Sequence, residues 1–217
     1  MNTSVNRWKI AQWFERKWWK NYLDKKEPET YLTWKKNYWE NFYNSFSDIV
    51  PLSENSKVLD AGCGPAGIFI IFTNQNTTAF DPLLDAYEQD LPHFSRGRYP
   101  TVQFQVASLE NYIENDYFDA VFCINAINHV KDIHTATLRL VETAKKGAKM
   151  VISIDTHNHK WLQPFFKLFP GDILHPHQFN LQEYIKLFED CGIKTLRTIC
   201  LKKEFIFNYY VVIGEKS

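Results

Sequence analysis

The chain is predicted to form an α/β domain: a doubly wound, mostly parallel seven-stranded sheet with an antiparallel last strand, beneath an N-terminal helical cover. Three observations predict it. From Lys57 onward, short apolar runs alternate with helix-like stretches, the pattern of βαβ units around a parallel sheet. The first fifty residues instead carry aromatics at helical spacing. Near the C-terminus, two strand-like runs are joined only by Lys202-Lys203-Glu204. That link is too short for a helical crossover, so the two runs pair as an antiparallel hairpin.

Each element has a local reason. Ile10, Phe14, Trp18 and Tyr22 recur at spacing four, and Tyr31, Trp34, Tyr38 and Phe42 at three and four. Each series places one apolar stripe on a helix face. The break Lys25-Lys26-Glu27-Pro28 is a turn, because proline disfavours helix at the residue before it. Pro51 closes the region, which divides the chain into a cover over residues 1–50 and a sheet domain over 51–217. Strands are expected near 57–60, 78–80, 102–106, 120–124, 149–154, 194–201 and 205–213. Helices are expected near 66–73, 83–91, 133–145 and 181–191. Residues 156–180 break the alternation with four histidines and three prolines, as an inserted lid or binding loop would.

Composition narrows the function classes. Apolar residues make up 45% of the 217, enough for a sizeable core. Lys+Arg and Asp+Glu are both 25, which argues against a nucleic-acid binder with its usual basic surplus. The cysteines Cys63, Cys123, Cys191 and Cys200 show no Cys-x-x-Cys spacing, so zinc and thioredoxin-like readings have no support. The longest apolar run, Ile68 to Phe72, is far short of the ~20 residues that span a bilayer, and no secretory signal is visible. A reduced, cytoplasmic protein is the simplest expectation.

The strongest local signal is Val58-Leu59-Asp60-Ala61-Gly62-Cys63-Gly64-Pro65-Ala66-Gly67, which follows a strand and leads into an expected helix. Glycines there let the backbone turn sharply and approach a ligand. Thr77-Thr78-Ala79-Phe80-Asp81 then supplies a second strand ending in an acid that can accept hydrogen bonds from ribose hydroxyls. Loop and acid together define a nucleoside-type cofactor site. Gly62, Gly64 and Gly67 also match the dinucleotide spacing, so an NAD-dependent oxidoreductase is the alternative. Asp60 separates the two. A carboxylate beside a pyrophosphate is repelled, whereas the amino and sulfonium groups of S-adenosylmethionine attract it. The plainer role for Asp60 is a helix or turn cap.

Asp60-Ala61-Gly62-Cys63-Gly64 resembles the first motif of the class I S-adenosylmethionine-dependent methyltransferases, and the resemblance extends over roughly residues 57–217. It implies a seven-stranded Rossmann-like fold with an antiparallel last strand, and S-adenosyl-L-methionine as cofactor. Gly62 and Gly64 would pass the methionine part and Asp81 would hold the ribose. Ser108 falls where the family often has an acid for the adenine amino group, so a shorter, uncharged acceptor stands there. Residues 117–125 resemble the family's fourth strand, with Asn125 at its cofactor-facing end. Cys63, Pro82 and Leu109, beside these, complete the expected cofactor-binding set.

The expected reaction joins that cofactor to a small-molecule O- or N-nucleophile. Its pocket would lie over the same strand ends, roofed by the N-terminal helices and the insertion. Candidate bases are His129, just after the fourth strand, and His175 and His177 in the insertion, since imidazole titrates near neutral pH. Trp34, Tyr38, Trp39 and His157 are the expected acceptor contacts. No metal is expected: a catechol-type site from the histidines and Asp155 needs a convergence that spacing does not show. Residues 1–46 hold nine Lys/Arg, five Asp/Glu and six of the seven tryptophans. That composition also suits a helix lying on a membrane surface, but a cover packed on the sheet is favoured. The fourth strand lacks the Asn/Asp-Pro-Pro-Tyr of adenine-N6 enzymes. A non-catalytic module that only binds the cofactor is the third function class.

Overall fold

The computed structural model describes residues 3–157, 179–204 and 207–217. Two helices, α1 (Thr3–Leu23) and α2 (Pro28–Asn44), precede the sheet. Then follow β1 (Lys57–Ala61), β2 (Asn76–Phe80), α3 (Leu84–Asp90), β3 (Val102–Gln105), β4 (Phe118–Cys123), α4 (Ile133–Thr143), β5 (Ala144–His157), α5 (Leu181–Asp190), β6 (Ile193–Lys203) and β7 (Phe207–Lys216). One sheet holds all seven strands in the order β3-β2-β1-β4-β5-β7-β6. The pairs from β3 through β5 are parallel, and β7 runs antiparallel between β5 and β6. This is the architecture expected from the sequence, including the terminal hairpin.

Alternation along the strands builds two cores. Val58, Ala120, Phe122, Val151, Val211 and Ile213 face the layer that contains α2 and α3. Leu59, Val121, Met150, Ile152 and Val212 face α4 and α5 on the other side. Successive side chains point to opposite faces, so near-continuous apolar strands serve both layers at once. Caps set several helix starts. Glu27 precedes Pro28 at the first helical position, and its carboxylate accepts from the N–H groups of Glu29 and Thr30 at 3.0 and 2.6 Å. Asp132 caps α4, and Asn180 with Glu183 forms a capping box on α5.

Three expectations need correction. The helix expected over 66–73 is instead two 3-10 turns, Gly64–Ala66 and Ile68–Ile71, separated by an extended Gly67. Ile68, Ile70 and Ile71 are β-branched and weak in helices, and the Asp60 carboxylate binds the turn directly. The helix expected to reach 145 stops at Thr143, because Ala144 already pairs with Phe118 of β4. The aromatic stripe of α1 is also not its packed face. Ile10, Phe14, Trp18 and Tyr22 are 45, 43, 51 and 36% exposed. Polar anchors orient α1 instead: Arg16 makes a two-pronged ion pair with Asp90 at 2.6 and 2.9 Å, and Glu15 accepts from the Tyr87 hydroxyl at 3.1 Å. On α2, Tyr31, Leu32, Trp39 and Phe42 are buried, so this helix is the part of the cover that joins the core.

Most of the expected insertion at 156–180 lies outside the described residues, with His159, His175, His177 and the His157 side chain. Among the described residues no helix is long and apolar enough to cross a membrane.

Candidate active site

The strand order reverses direction between β1 and β4, and ligands of open α/β sheets sit outside the carboxyl ends of strands at such a point. Every group of the site follows from that position. Gly62 leaves β1 in a left-handed conformation, φ 69°, and its N–H and that of Cys63 donate to the Phe80 carbonyl at 2.8 and 3.0 Å. A Cβ on Gly62 would stand 2.4 Å from the Ala126 Cβ. The loop therefore needs glycine both for its φ and for the approach of the β4 turn.

Asp81, at the end of β2, ties the loop down. Its Oδ2 accepts from the Gly64 N–H at 3.0 Å and its Oδ1 from the Leu83 N–H at 2.8 Å. Each oxygen keeps lone pairs for a further donor. Burial, and then the facing Glu15 carboxylate, push its pKa up to about 7. Burial likewise raises Glu15, the single acid of α1.

Asp60 is 1% exposed and lies behind the loop. Its Oδ2 accepts from the Phe69 N–H at 2.9 Å, and a Cβ on Gly67 would come within 2.4 Å of the same oxygen. Burial raises its pKa to about 7, opposed by the backbone donors and by the Lys35 ammonium. The geometry thus gives Asp60 the turn-capping role. Its charge reaches the site as a field, not as a contact. Burial pushes the Cys63 thiol well above its ordinary pKa, which leaves it a neutral buried group.

Two cavities meet over the loop. The smaller, about 70 Å³, is lined by Gly62, Asp81, Pro82, Ser108, Leu109 and Asn125, and by Ala11, Gln12 and Glu15 of α1. The larger, about 570 Å³, is walled by Trp18, Trp19, Tyr22, Tyr31, Lys35 and Tyr209. Glu15, Asn125 and His129 line both. The end of β4 is built for this junction. Asn125 takes a left-handed φ of 55°, its N–H donates to Ser153 Oγ at 2.7 Å, and the Tyr209 hydroxyl reaches the same Oγ at 2.9 Å. A 3-10 turn, Ile127–His129, then presents His129.

Six of the nine sequence-predicted cofactor residues therefore share one cavity wall. Asp60, Cys63 and Gly64 line neither cavity. Gly64 is instead covered by Trp19: a Cβ at this position would lie 3.5 Å from the indole. Of the acceptor candidates, Trp39 is a core residue, 4% exposed, with its indole N–H donating to the Ala66 carbonyl at 2.9 Å. Trp34 and Tyr38 also line neither cavity, but each lies against Lys35, which does. Sequence reasoning passed over Gln12, Glu15, Trp19, Tyr31 and Lys35. The one available signal was Glu15, an isolated acid between Trp13-Phe14 and Trp18-Trp19.

The residues fit a nucleoside cofactor. Gln12 Nε2 is buried on the smaller cavity with no partner in the protein, and a ring nitrogen or a ribose hydroxyl would give it an acceptor. Among the described residues no group of three or more His, Cys, Asp or Glu is placed to hold a metal ion.

A parallel sheet with an inserted antiparallel β7, and a glycine loop facing a second-strand acid, define the Rossmann-like class of nucleoside-cofactor proteins. Within that class, residues 31–198 match the methyltransferase domain family, and the chain belongs to it. The chain is 27% identical over 126 residues to the ubiquinone biosynthesis O-methyltransferase of Rickettsia bellii, covering 57% of this chain and 49% of that protein. It is 27% identical over 157 residues to phosphoethanolamine N-methyltransferase 3 of Arabidopsis thaliana, covering 69% of this chain and 31% of that protein. It thus spans about half the length of the first relative and under a third of the second. The structure of Haemonchus contortus phosphoethanolamine N-methyltransferase 2, in complex with phosphomonomethylethanolamine and S-adenosylhomocysteine, superposes with a TM-score of 0.64 at 15% identity. That match covers 82% of this chain and 52% of that one.

Proposed function

We propose that this protein transfers a methyl group from S-adenosylmethionine to an oxygen or nitrogen of a small molecule bound in the larger cavity. One observation carries the reading: three carboxylates, Glu15, Asp60 and Asp81, cluster around the glycine loop, where burial and then both Glu15 and Asp60 push the Asp81 pKa up. That negative field repels a diphosphate and favours a ligand bearing a sulfonium and an ammonium. The relatives support the acceptor class, since one is named for O-methylation in ubiquinone biosynthesis and another for N-methylation of phosphoethanolamine.

When bound, the cofactor supplies an electrophilic methyl group on sulfur. The chain does the rest by placement. Asp81 would hold the ribose, and Gly62, Pro82, Ser108 and Leu109 would enclose the nucleoside. Asn125 and His129 line both cavities, so they would face an acceptor brought to the bound cofactor. His129 takes the proton from an acceptor O–H or N–H as the new bond forms. Trp18, Trp19, Tyr22 and Tyr209 exclude water and align the acceptor, which is most of what an in-line displacement needs. The four cysteines carry no disulfide, as suits a cytoplasmic enzyme.

Calorimetric titration with S-adenosylhomocysteine tests the cofactor half. Asp81→Ala is expected to weaken binding by about 1–3 kcal/mol through the lost ribose bonds; undiminished affinity removes Asp81 from the site. Transfer of labelled methyl groups to a panel of phenols, quinols, amines and phospho-amines tests the acceptor half. His129→Ala is expected to leave S-adenosylhomocysteine affinity unchanged and slow turnover by about 10²–10⁴-fold. Wild-type turnover in that variant would make His129 a wall residue. No heat with S-adenosylhomocysteine in the wild type would sink the whole reading.

A further inference from the structure

One cation on the wall of the larger cavity has no role in the reaction so far. Lys35 projects from α2 among the rings of Trp34, Tyr38 and Trp39, with Nζ 5.7, 5.1 and 4.7 Å from their centroids. Rings position an ammonium and offset part of its desolvation, but they accept no strong hydrogen bond. The carboxylate that attracts it, Asp60, has Oδ2 engaged by the Phe69 N–H. One helical turn earlier, Tyr31 lines the same cavity, and its hydroxyl is buried with no partner in the protein. Residues four apart share a helix face. An ammonium and an orphaned hydroxyl thus sit together on one wall. The other lysine of that wall, Lys202, is already paired with Glu204. A buried hydroxyl without an acceptor is costly, and an acceptor from a bound ligand would remove that cost.

The Trp39 indole N–H donates to the Ala66 carbonyl, which ties the helix bearing Lys35 to the turn that follows Gly64. We propose that Lys35 and Tyr31 form an anion seat for a carboxylate or phosphate group of a ligand bound in the larger cavity. Two sources have that chemistry: the amino-acid carboxylate of the cofactor, and an acidic group on the acceptor. The first source rests on the methyltransferase reading. The seat then divides the work by charge, with Lys35 meeting the carboxylate and the acids around Asp81 meeting the cationic centres of the same zwitterion. The second source restricts acceptors to molecules that carry an anion.

Titrations of the full chain with S-adenosylhomocysteine, and with 5′-methylthioadenosine, which lacks the amino-acid carboxylate, separate the sources. If the cofactor supplies the anion, Lys35→Met weakens S-adenosylhomocysteine binding about ten- to a hundred-fold and leaves 5′-methylthioadenosine binding unchanged. Tyr31→Phe weakens the first ligand about three- to tenfold, also without effect on the second. Unchanged nucleoside binding doubles as proof that the variants fold. If the acceptor supplies the anion, both nucleosides bind Lys35→Met normally. In that case the wild type loaded with S-adenosylhomocysteine binds inorganic phosphate, and Lys35→Met does not. Normal S-adenosylhomocysteine binding to Lys35→Met, together with phosphate binding that is absent or ignores Lys35, overturns the seat. A wild type that binds neither nucleoside overturns the methyltransferase reading, and the phosphate titration then decides the seat alone.

Discussion

Trp39→Ala is expected to lower the unfolding free energy by about 4–8 kcal/mol. The side chain is 4% exposed and lies in the core beneath α2, against Phe42 at a ring separation of 5.5 Å. Truncating a buried tryptophan costs about 3–5 kcal/mol, and the Ala66 carbonyl loses its only indole donor in a buried setting, about 1–3 kcal/mol more. Domains of this size hold about 5–15 kcal/mol in all, so the variant stands near the edge of folding. Trp39→Phe keeps most of the volume and loses the hydrogen bond, and is expected to cost about 1–3 kcal/mol. Urea denaturation of the two variants separates packing from polar satisfaction. The same pair also decides between a core residue and a ligand contact. A Trp39→Ala protein as stable as wild type, but with weakened S-adenosylhomocysteine binding, would return Trp39 to the acceptor contacts expected from sequence.

Gly62→Ala is expected to destabilise by about 2–5 kcal/mol and to impair cofactor binding with it. The left-handed φ of 69° costs a residue with a Cβ about 1–2 kcal/mol. The added methyl would stand 2.4 Å from the Ala126 Cβ and 3.3 Å from Leu109 Cδ1, and overpacking of that kind costs about 1–3 kcal/mol. Ala126 cannot yield without moving Asn125 and the turn that presents His129, so the damage reaches both cavities. The double variant Gly62→Ala/Ala126→Gly is expected to recover the overpacking part and keep the backbone strain. Full recovery, or none, would show that the two costs are not separate here. Thermal unfolding and S-adenosylhomocysteine titration on all three proteins read the cycle.

The sequence placed the glycine loop and Asp81 together correctly because both signals are local. Gly62 answers a backbone need within one turn, and Asp81 ends a short strand that parallel pairing sets beside β1. Strand alternation was legible for the same reason, since period two is a property of a single strand. The turn after Gly64 was misread as a helix because its decisive partner, the Asp60 carboxylate, comes from the preceding strand. The antiparallel pairing of the last two strands followed from link length alone, a constraint of chain geometry that needs no knowledge of the core.

The N-terminal helices mark the boundary most clearly. Spacing of three and four showed that the first fifty residues form helices with aromatic stripes, found at Thr3–Leu23 and Pro28–Asn44, and the proline at 28 marked the break between them. It could not determine which face meets the sheet. On α1 the regular stripe stays partly exposed, with Ile10 and Phe14 lining neither cavity and Trp18 and Tyr22 on the wall of the larger one, beside Gln12, Glu15 and Trp19; on α2, Tyr31 and Lys35 line the larger cavity. Helical periodicity is a property of one segment. The choice of face depends on distant partners, here Asp90 and Tyr87 for α1 and the Ala66 carbonyl for α2, and these come within reach only once the sheet has assembled.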